Sequence, residues 1–510
     1  MSGKKIIIVG AGPGGLTCAM ILARRGFSVT VYEKEDRVGG RNAALKMGPY
    51  TFDTGPTFLM MKFILEEMFS EAGNDIGKYL DKRRIEPMYH LDYGVIALNP
   101  STDVAKTTEE VKKYFPGNEA GVAQFYKKEK HRFETLFPCL QKDYSHFKTF
   151  FHPDFIKAVP VLGIGESLFQ NLGHYFRDDR LKMSFSFQSK YLGMSPWECP
   201  AAFTLIPYVE RKYGIYHVIG GLNAISSAMA KAAKENGVEI KLGMPVKEVI
   251  TEGGAAKGVL LVSGEKDYAD NIIINADFGY SMTHLFKPGL LKKYTPGKVA
   301  KKKYSCSTFM IYLGVNKVYD KLPHHNIYFS KDYEGNVKDI FNNNKISEEP
   351  SFYIQNASVT DKTLAPPGKS TVYILVPMPN NASRIDWEKE KGAFKEKILD
   401  LVIARTPMKD LREHIEEERI ITPVDWEKEH NIYYGATFNL AHNLTQMLYF
   451  RPRNEFEEVR NCYLVGGGTH PGSGLPTIYE SARITANLLS KKHGIAYNKP
   501  SKLYVKEGGS

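Results

Sequence analysis

Hydrophobic and polar positions change period several times along the chain, and each change predicts an element. KKIIIV (4–9) is a short apolar run rich in β-branched residues, the pattern of a buried strand. GLTCAMILARRG (15–26) places Leu16, Ala19, Met20 and Ala23 at helical spacing and closes on Arg24, Arg25 and Gly26. Cations in a last turn followed by glycine end a helix. SVTVYE (28–33) predicts a second strand. Over 85–210, Tyr, Phe, Lys and His mix at mostly helical spacing, and FFHPDFIKAVPVLGIGESLFQNL (150–172) is apolar but broken by Pro153, Pro160 and glycines. GLNAISSAMAKAAKENG (221–237) predicts a helix, and VEIKLG, VKEVIT, KGVLLV and NIIINAD predict short strands after it. Strands such as STFMIYLG (307–314) and TVYILVPM (371–378) mark a mixed region, and residues 461–490 read as strand, glycine-rich turn and helix. The pattern predicts an α/β fold. A Rossmann-like nucleotide lobe drawn from 1–84, 211–300 and 421–497 interleaves with a mixed α+β lobe from 85–210 and 301–420, and 498–510 form a loose tail.

Composition narrows this little. At 510 residues the chain exceeds what one core usually serves, in keeping with two lobes. A formal net charge of +11 suits nucleic acid, an anionic membrane surface or solubility. No stripe of Lys and Arg interleaved with aromatics is present, so a nucleic-acid partner is not expected. The 5 cysteines are widely spaced and never form CxxC, which argues against a disulfide framework or metal cage and for a reducing, cytoplasmic setting. Lys4-Lys5 and the uncharged run 6–23 imitate a signal peptide or span, but Gly10, Gly12, Pro13, Gly14 and Gly15 would break such a helix.

The chemistry lies in the glycines. Gly10-Ala11-Gly12-Pro13-Gly14-Gly15 joins a predicted strand to a predicted helix. Gly10 permits the tight turn, Gly12 lets a pyrophosphate approach the backbone, and Gly15 lets helix and strand pack closely. Glu33 closes the second strand, where an acid accepts ribose hydroxyls. This fingerprint alone does not separate NAD from FAD. Gly39-Gly40-Arg41 and FDTGPT (52–57) then supply a second phosphate loop with a guanidinium, a flavoprotein trait more than a dehydrogenase one.

With IIIVGAGPGGLTCAMILARRGFSVTVYEKEDRVGGR, FDTGPT and YLVGGGTHPGSGLPTIYESARITANLL quoted together, the chain resembles the bacterial-type carotenoid (phytoene) desaturases, amine-oxidase-like FAD flavoproteins. The likeness runs nearly end to end, through LKMSFSFQSKYLG (181–193), KYGIYHVIGGLNAI (212–225) and YYGATFNL (433–440). THPGSGLP is its specific element. The resemblance implies an amine-oxidase/GDI-like architecture with FAD as cofactor. Residues 10–15 with Glu33, Lys34, Gly40 and Arg41 would hold the ADP half, and Val246 would meet the adenine through its backbone. Gly55, Pro56, Thr57, Gly468, Gly474, Leu475, Pro476 and Thr477 would lie along the ribitol and isoalloxazine. Asp277 either lines the nucleotide lobe or starts a turn, and His470 in THPG reads as structural.

The resemblance also implies an apolar polyene substrate, oxygen or quinone as electron acceptor, and a peripheral membrane association. The stretch 150–172, flanked by Lys142, Lys148 and Lys157, is the docking candidate, with a core segment of the second lobe as the alternative. An alkyl C–H flanked only by alkenes is not acidified by side chains, so its dehydrogenation needs a redox cofactor. The family often carries Arg where this chain has Lys182, with an Asp matching Asp178. Lysine lacks the fork geometry, and Asp178 with Lys182 at i,i+4 also reads as a surface ion pair. His442 contacts a polar substrate end or is a loop histidine; His324-His325 reads as a solvated turn. Asp178, Lys182 and His442 are thus the catalytic candidates, none expected to be indispensable as a base. His442-Asn443 points to 3,4-desaturation of a 1-hydroxycarotenoid. The alternatives are phytoene desaturation, a retinoid saturase or carotenoid oxygenase, and a flavin-less GDI-like lipid escort, which would have no use for THPGSGLP.

Overall fold

The computed structural model describes residues 3–497; the tail expected over 498–510 lies outside them. A parallel five-stranded sheet is assembled from the beginning, middle and end of the chain. Its strands are β1 (Lys5–Val9), β2 (Ser28–Tyr32), β3 (Glu239–Lys241), β4 (Asn271–Ile274) and β5 (Cys462–Leu464), in the spatial order β5-β4-β1-β2-β3. β1 is continuously apolar because both faces are covered. Ile6 and Ile8 pack into the core shared with helix α1 (Pro13–Arg24), while Ile7 and Val9 meet Val249, Val259 and Leu261 of an antiparallel sheet. Ile6, Ile7 and Ile8 are fully buried, each contributing about 1.5–3 kcal/mol. α1 packs against α2 (Asn223–Glu235) and α3 (Leu475–Lys492).

A seven-stranded, mostly antiparallel sheet forms the other main layer, with Ser307–Val315 and Ser370–Met378 paired along their whole length. Here the period-two rule divides the residues cleanly. Phe309, Ile311, Leu313, Val372, Ile374 and Val376 face helix Trp387–Arg405 and its Phe394, Ile398 and Val402. The alternate residues Thr308, Met310, Tyr373, Leu375 and Pro377 line a cavity between this sheet and the parallel one.

FDTGPT ties the layers together. Asp53 accepts hydrogen bonds from the N–H groups of Leu222 and Asn223 and so holds the start of α2. Tyr312 and Tyr373, from the large sheet, donate to the carbonyls of Thr54 and Gly55.

Two sequence readings are corrected. His324 and His325 are not in a solvated turn: both are buried, and His325 opens the strand His325–Tyr328. Their rings lie beside a buried His217–Asp361 pair at 3.0 Å and beside Phe58, partners far away in the chain. Asp178 and Lys182 do not pair. Asp178 caps the helix Asp179–Ser184 and binds Arg180 at 2.9 Å, whereas Lys182 binds Asp179 at 2.6 Å. Asp178 is the N-cap: its carbonyl accepts the Lys182 N–H at 3.0 Å, but its extended backbone turns the carboxylate onto the N–H and guanidinium of Arg180 and away from the Lys182 ammonium.

Candidate active site

The cavity between the sheets has a volume of about 460 Å³ and is one continuous space. At one end it is bounded by the loop after β1, by Glu33, Lys34, Glu35 and Arg37, and by Pro245, Val246 and His430. Its middle meets Gly40, Arg41, Gly55, Pro56, Thr57 and the loop before α3. Its far end is apolar, with Phe187, Met310, Ile327, Phe329, Phe352 and Leu375.

Each part follows from local sequence. Gly10 takes a φ of +99°, and a Cβ there would lie 2.9 Å from the Asn275 carbonyl. A Cβ on Gly15 would lie 2.3 Å from the Gly10 carbonyl, so only glycine allows this helix–strand approach. Gly12 is the N-cap of α1 and offers no side-chain cap, and the first turn contains no acid. Its N–H groups are therefore left to an anionic ligand. Helix α3 repeats the arrangement: Gly474 at its N-cap provides no side-chain hydrogen bond, the first turn is free of acids, and Gly474, Leu475 and Pro476 line the same cavity. The second loop is pinned to the first where Gly39 N–H donates to the Ala11 carbonyl at 2.9 Å.

Glu33 is buried, and its carboxylate accepts N–H groups from Ala11 at 2.7 Å and Glu35 at 3.0 Å. Burial pushes its carboxyl up while those two donors pull it down. Each oxygen keeps a lone pair for a ribose hydroxyl. Arg41 donates to the Thr437 carbonyl at 2.6 Å and lies 3.4 Å from Asp277. Burial lowers the Arg41 guanidinium, with Asp277 opposing; burial raises Asp277, with Arg41 opposing. Asp277 does both things read from the sequence, lining the cavity and capping helix Phe278–His284. Burial and the neighbouring Lys34 hold His430 at about 4, hence neutral at pH 7.

Gly10, Gly12, Pro13, Gly14, Glu33, Lys34, Gly40, Arg41, Gly55, Pro56, Thr57, Val246, Gly474, Leu475 and Pro476 all line the cavity. The remaining expected contacts stand just behind it. Ala11 orients Glu33, Gly15 packs α1, and Gly468 presses on Phe278 and Asn439. Thr477 braces the loop through the Ser473 and Gly474 carbonyls. Two uncapped helix N-termini, a buried ribose-height carboxylate and glycines with no room for Cβ atoms fit a dinucleotide such as FAD.

Asp178, Lys182 and His442 are absent from the cavity lining. His442 is buried, and its Nε2 accepts the Ser473 N–H at 3.0 Å, holding the THPGSGLP loop. Burial, with Arg451 nearby, keeps it far below the usual histidine range. His470 packs edge-on against Tyr144, also away from the lining. Lys190, Asn275, His430 and the apolar far wall were missed. Lys190 stands within the quoted segment LKMSFSFQSKYLG, but nothing in its spacing marks which side chain turns inward.

Comparison with known proteins agrees with this geometry. The family described as "Flavin containing amine oxidoreductase" matches residues 13–490. The chain is 53% identical over 97% of its length, and 96% of the relative's, to a 4,4'-diapophytoene desaturase (4,4'-diapolycopene-forming) of Methylomonas sp. It is 36% identical, over 96% of this chain and 95% of the relative, to a zeta-carotene-forming phytoene desaturase of Myxococcus xanthus. Wild-type putrescine oxidase bound to putrescine shares the fold at TM-score 0.63 and 15% identity, covering 96% of this chain and 99% of that one. The chain thus belongs to the flavin-containing amine oxidoreductases and, within them, to the bacterial carotenoid desaturases, as an FAD-dependent oxidoreductase acting on CH–CH groups.

Proposed function

We propose that this protein desaturates an acyclic carotenoid hydrocarbon, 4,4'-diapophytoene before phytoene, lengthening its conjugation. The observation that carries the reading is the continuity of the cavity, in which a dinucleotide cradle opens directly onto an apolar wall of Phe187, Met310, Ile327, Phe329 and Leu375. That wall offers a polyene a dry surface and no carboxylate. FAD, when bound, supplies the two-electron acceptor that side chains lack. The glycine loops, Glu33 and the N-termini of α1 and α3 bind and orient it, and Tyr312, Tyr353 and Tyr373 brace the FDTGPT loop beside the substrate space. The apolar wall excludes water and aligns the chain by shape.

A hydroxylated substrate loses its motivation, because His442 is engaged with Ser473 N–H instead of facing the cavity. Supplying 4,4'-diapophytoene, phytoene and a 1-hydroxycarotenoid side by side tests the choice: the first should convert fastest, and conversion of the hydroxycarotenoid alone would overturn it.

The membrane is the proposed source of the substrate. The 150–172 segment splits in two: Leu168 and Leu172 are buried, while Phe151 and Ile164 are 69% and 67% exposed. Phe147, Ile156, Val159, Leu444 and Phe450 are exposed as well, and Phe147 reaches Tyr449, next to Phe450. No helix among the described residues is long and apolar enough to cross a membrane. Flotation with anionic vesicles should recover the protein at the top of the gradient, and Phe151→Ser/Ile164→Ser should leave it at the bottom. Wild-type protein that stays at the bottom would remove the docking reading.

A further inference from the structure

Among the described residues, one amine lines the apolar half of the cavity. Lys190 lies in the 3-10 segment Phe187–Leu192 and lines the space with Phe187, Cys306, Met310 and Phe329. Its Nζ stands 4.6 Å from the centre of the Tyr333 ring, and among the described residues no carboxylate pairs with it. The titratable groups facing it, among the described residues, are the Cys306 thiol, which burial pushes up to about 12, and Tyr333, which burial also raises. Further along the wall, burial raises Tyr353 and Tyr373 well above the usual tyrosine range. These neighbours are neutral at physiological pH and poor proton acceptors. With no anion to balance it, the ammonium pays for its desolvation, and burial lowers Lys190 to about 8. A useful fraction is therefore free amine near neutrality, which is what a general base requires.

We propose that Lys190 is the proton acceptor of the desaturation step. The inference rests on the desaturase reading. In each step two C–H bonds on adjacent carbons break. One hydrogen leaves with its electron pair as hydride to the flavin, which is reduced and later reoxidised by oxygen or a quinone. The electron pair of the other C–H becomes the new C=C, and its proton forms an N–H bond on Lys190, to be released to water before the next step. Asp178, Lys182 and His442, all off the cavity lining, take no part in this transfer.

The test uses the FAD-loaded enzyme with Lys190→Met and Lys190→Arg. Lys190→Arg preserves a cation over Tyr333 but cannot accept a proton at neutral pH. Anaerobic single-turnover flavin bleaching by 4,4'-diapophytoene should rise with pH up to about 8 in the wild type and then level off. Both variants should bleach slower by about 10²–10⁴-fold and lose that rise. A readout independent of turnover is NMR of the enzyme carrying ¹³C-dimethylated lysines. The resonance missing from Lys190→Arg should titrate near 8, well below those of surface lysines. If wild type bleaches and Lys190→Arg bleaches as fast with the same pH profile, Lys190 is not the acceptor. A resonance titrating at the ordinary lysine value contradicts it equally. If the wild-type flavin stays oxidised with every polyene offered, the desaturase reading falls and the inference with it.

Discussion

Replacing Gly12 by valine separates binding of the dinucleotide from folding. Gly12 has φ −74° and ψ 173°, a conformation open to any residue. A Cβ there would lie 3.1 Å from Asn275 Nδ2, the end of a side chain that can give by a few tenths of an ångström, and 3.9 Å from the Gly39 carbonyl. The apoprotein should therefore fold and melt close to the wild-type apoprotein. The two γ-methyls, however, enter the cavity at the N-terminus of α1 and keep a phosphate from its first-turn N–H groups. Losing two charge-assisted hydrogen bonds costs about 3–6 kcal/mol at about 1.5–3 kcal/mol each, or about 10²–10⁴-fold in Kd. The assay is flavin absorbance of the purified protein, followed by titration of apoprotein with FAD. A colourless, folded protein is expected. A yellow variant with wild-type affinity would refute the placement of the phosphates.

At Gly15 the outcome is reversed. A Cβ 2.3 Å from a backbone carbonyl has nowhere to move, so Gly15→Ala should lower soluble yield and melting temperature with or without FAD; normal melting would refute the packing argument. Arg483, buried among Glu67, Glu71 and Glu480, ties α3 to the helix Lys62–Glu71. Arg483→Met strands buried carboxylates and should cost about 3–5 kcal/mol, and an unchanged melting temperature would contradict this. Burial opposes ionisation of Asp361, but hydrogen bonds from His217, Thr363 and the Gly220 N–H outweigh it and hold the carboxyl at about 2. Its folded value lies below the unfolded one, so its contribution of about 2 kcal/mol is complete above about pH 4 and is lost as pH falls through 2. Asp361→Asn should therefore be less stable at pH 7, with a gap from wild type that narrows on acidification; a gap independent of pH would rule this out.

The β1–α1–β2 unit was legible because its signals are local: an apolar run buried on both faces, a glycine turn, and a helix stop. The strand alternation around Met310 and Leu375 was legible as strands, but which alternate residues face a cavity depends on the later helix Trp387–Arg405, which covers the opposite face. The three catalytic candidates illustrate the same limit. Asp178 lies one residue outside its helix, and His442 takes its hydrogen bond from Ser473, 31 residues away. The His324-His325 reading erred because a histidine pair looks polar in sequence, whereas His217, Asp361 and Phe58 close over it only in three dimensions. Motifs defined by backbone geometry survived this limit better than single side chains did, since glycine's role is set by its own φ and close neighbours.

In the proposed reaction, electrons pass from an acyclic polyene to the bound FAD. Mixing oxygen-free, FAD-loaded enzyme with 4,4'-diapophytoene in vesicles, and recording the whole spectrum, measures donor and acceptor together. The oxidised-flavin band should bleach while polyene absorbance moves to longer wavelength, in step and in stoichiometric amount. Flavin that stays oxidised with every acyclic polyene but bleaches with an amine would contradict it, and would make the protein an amine oxidase of the same fold.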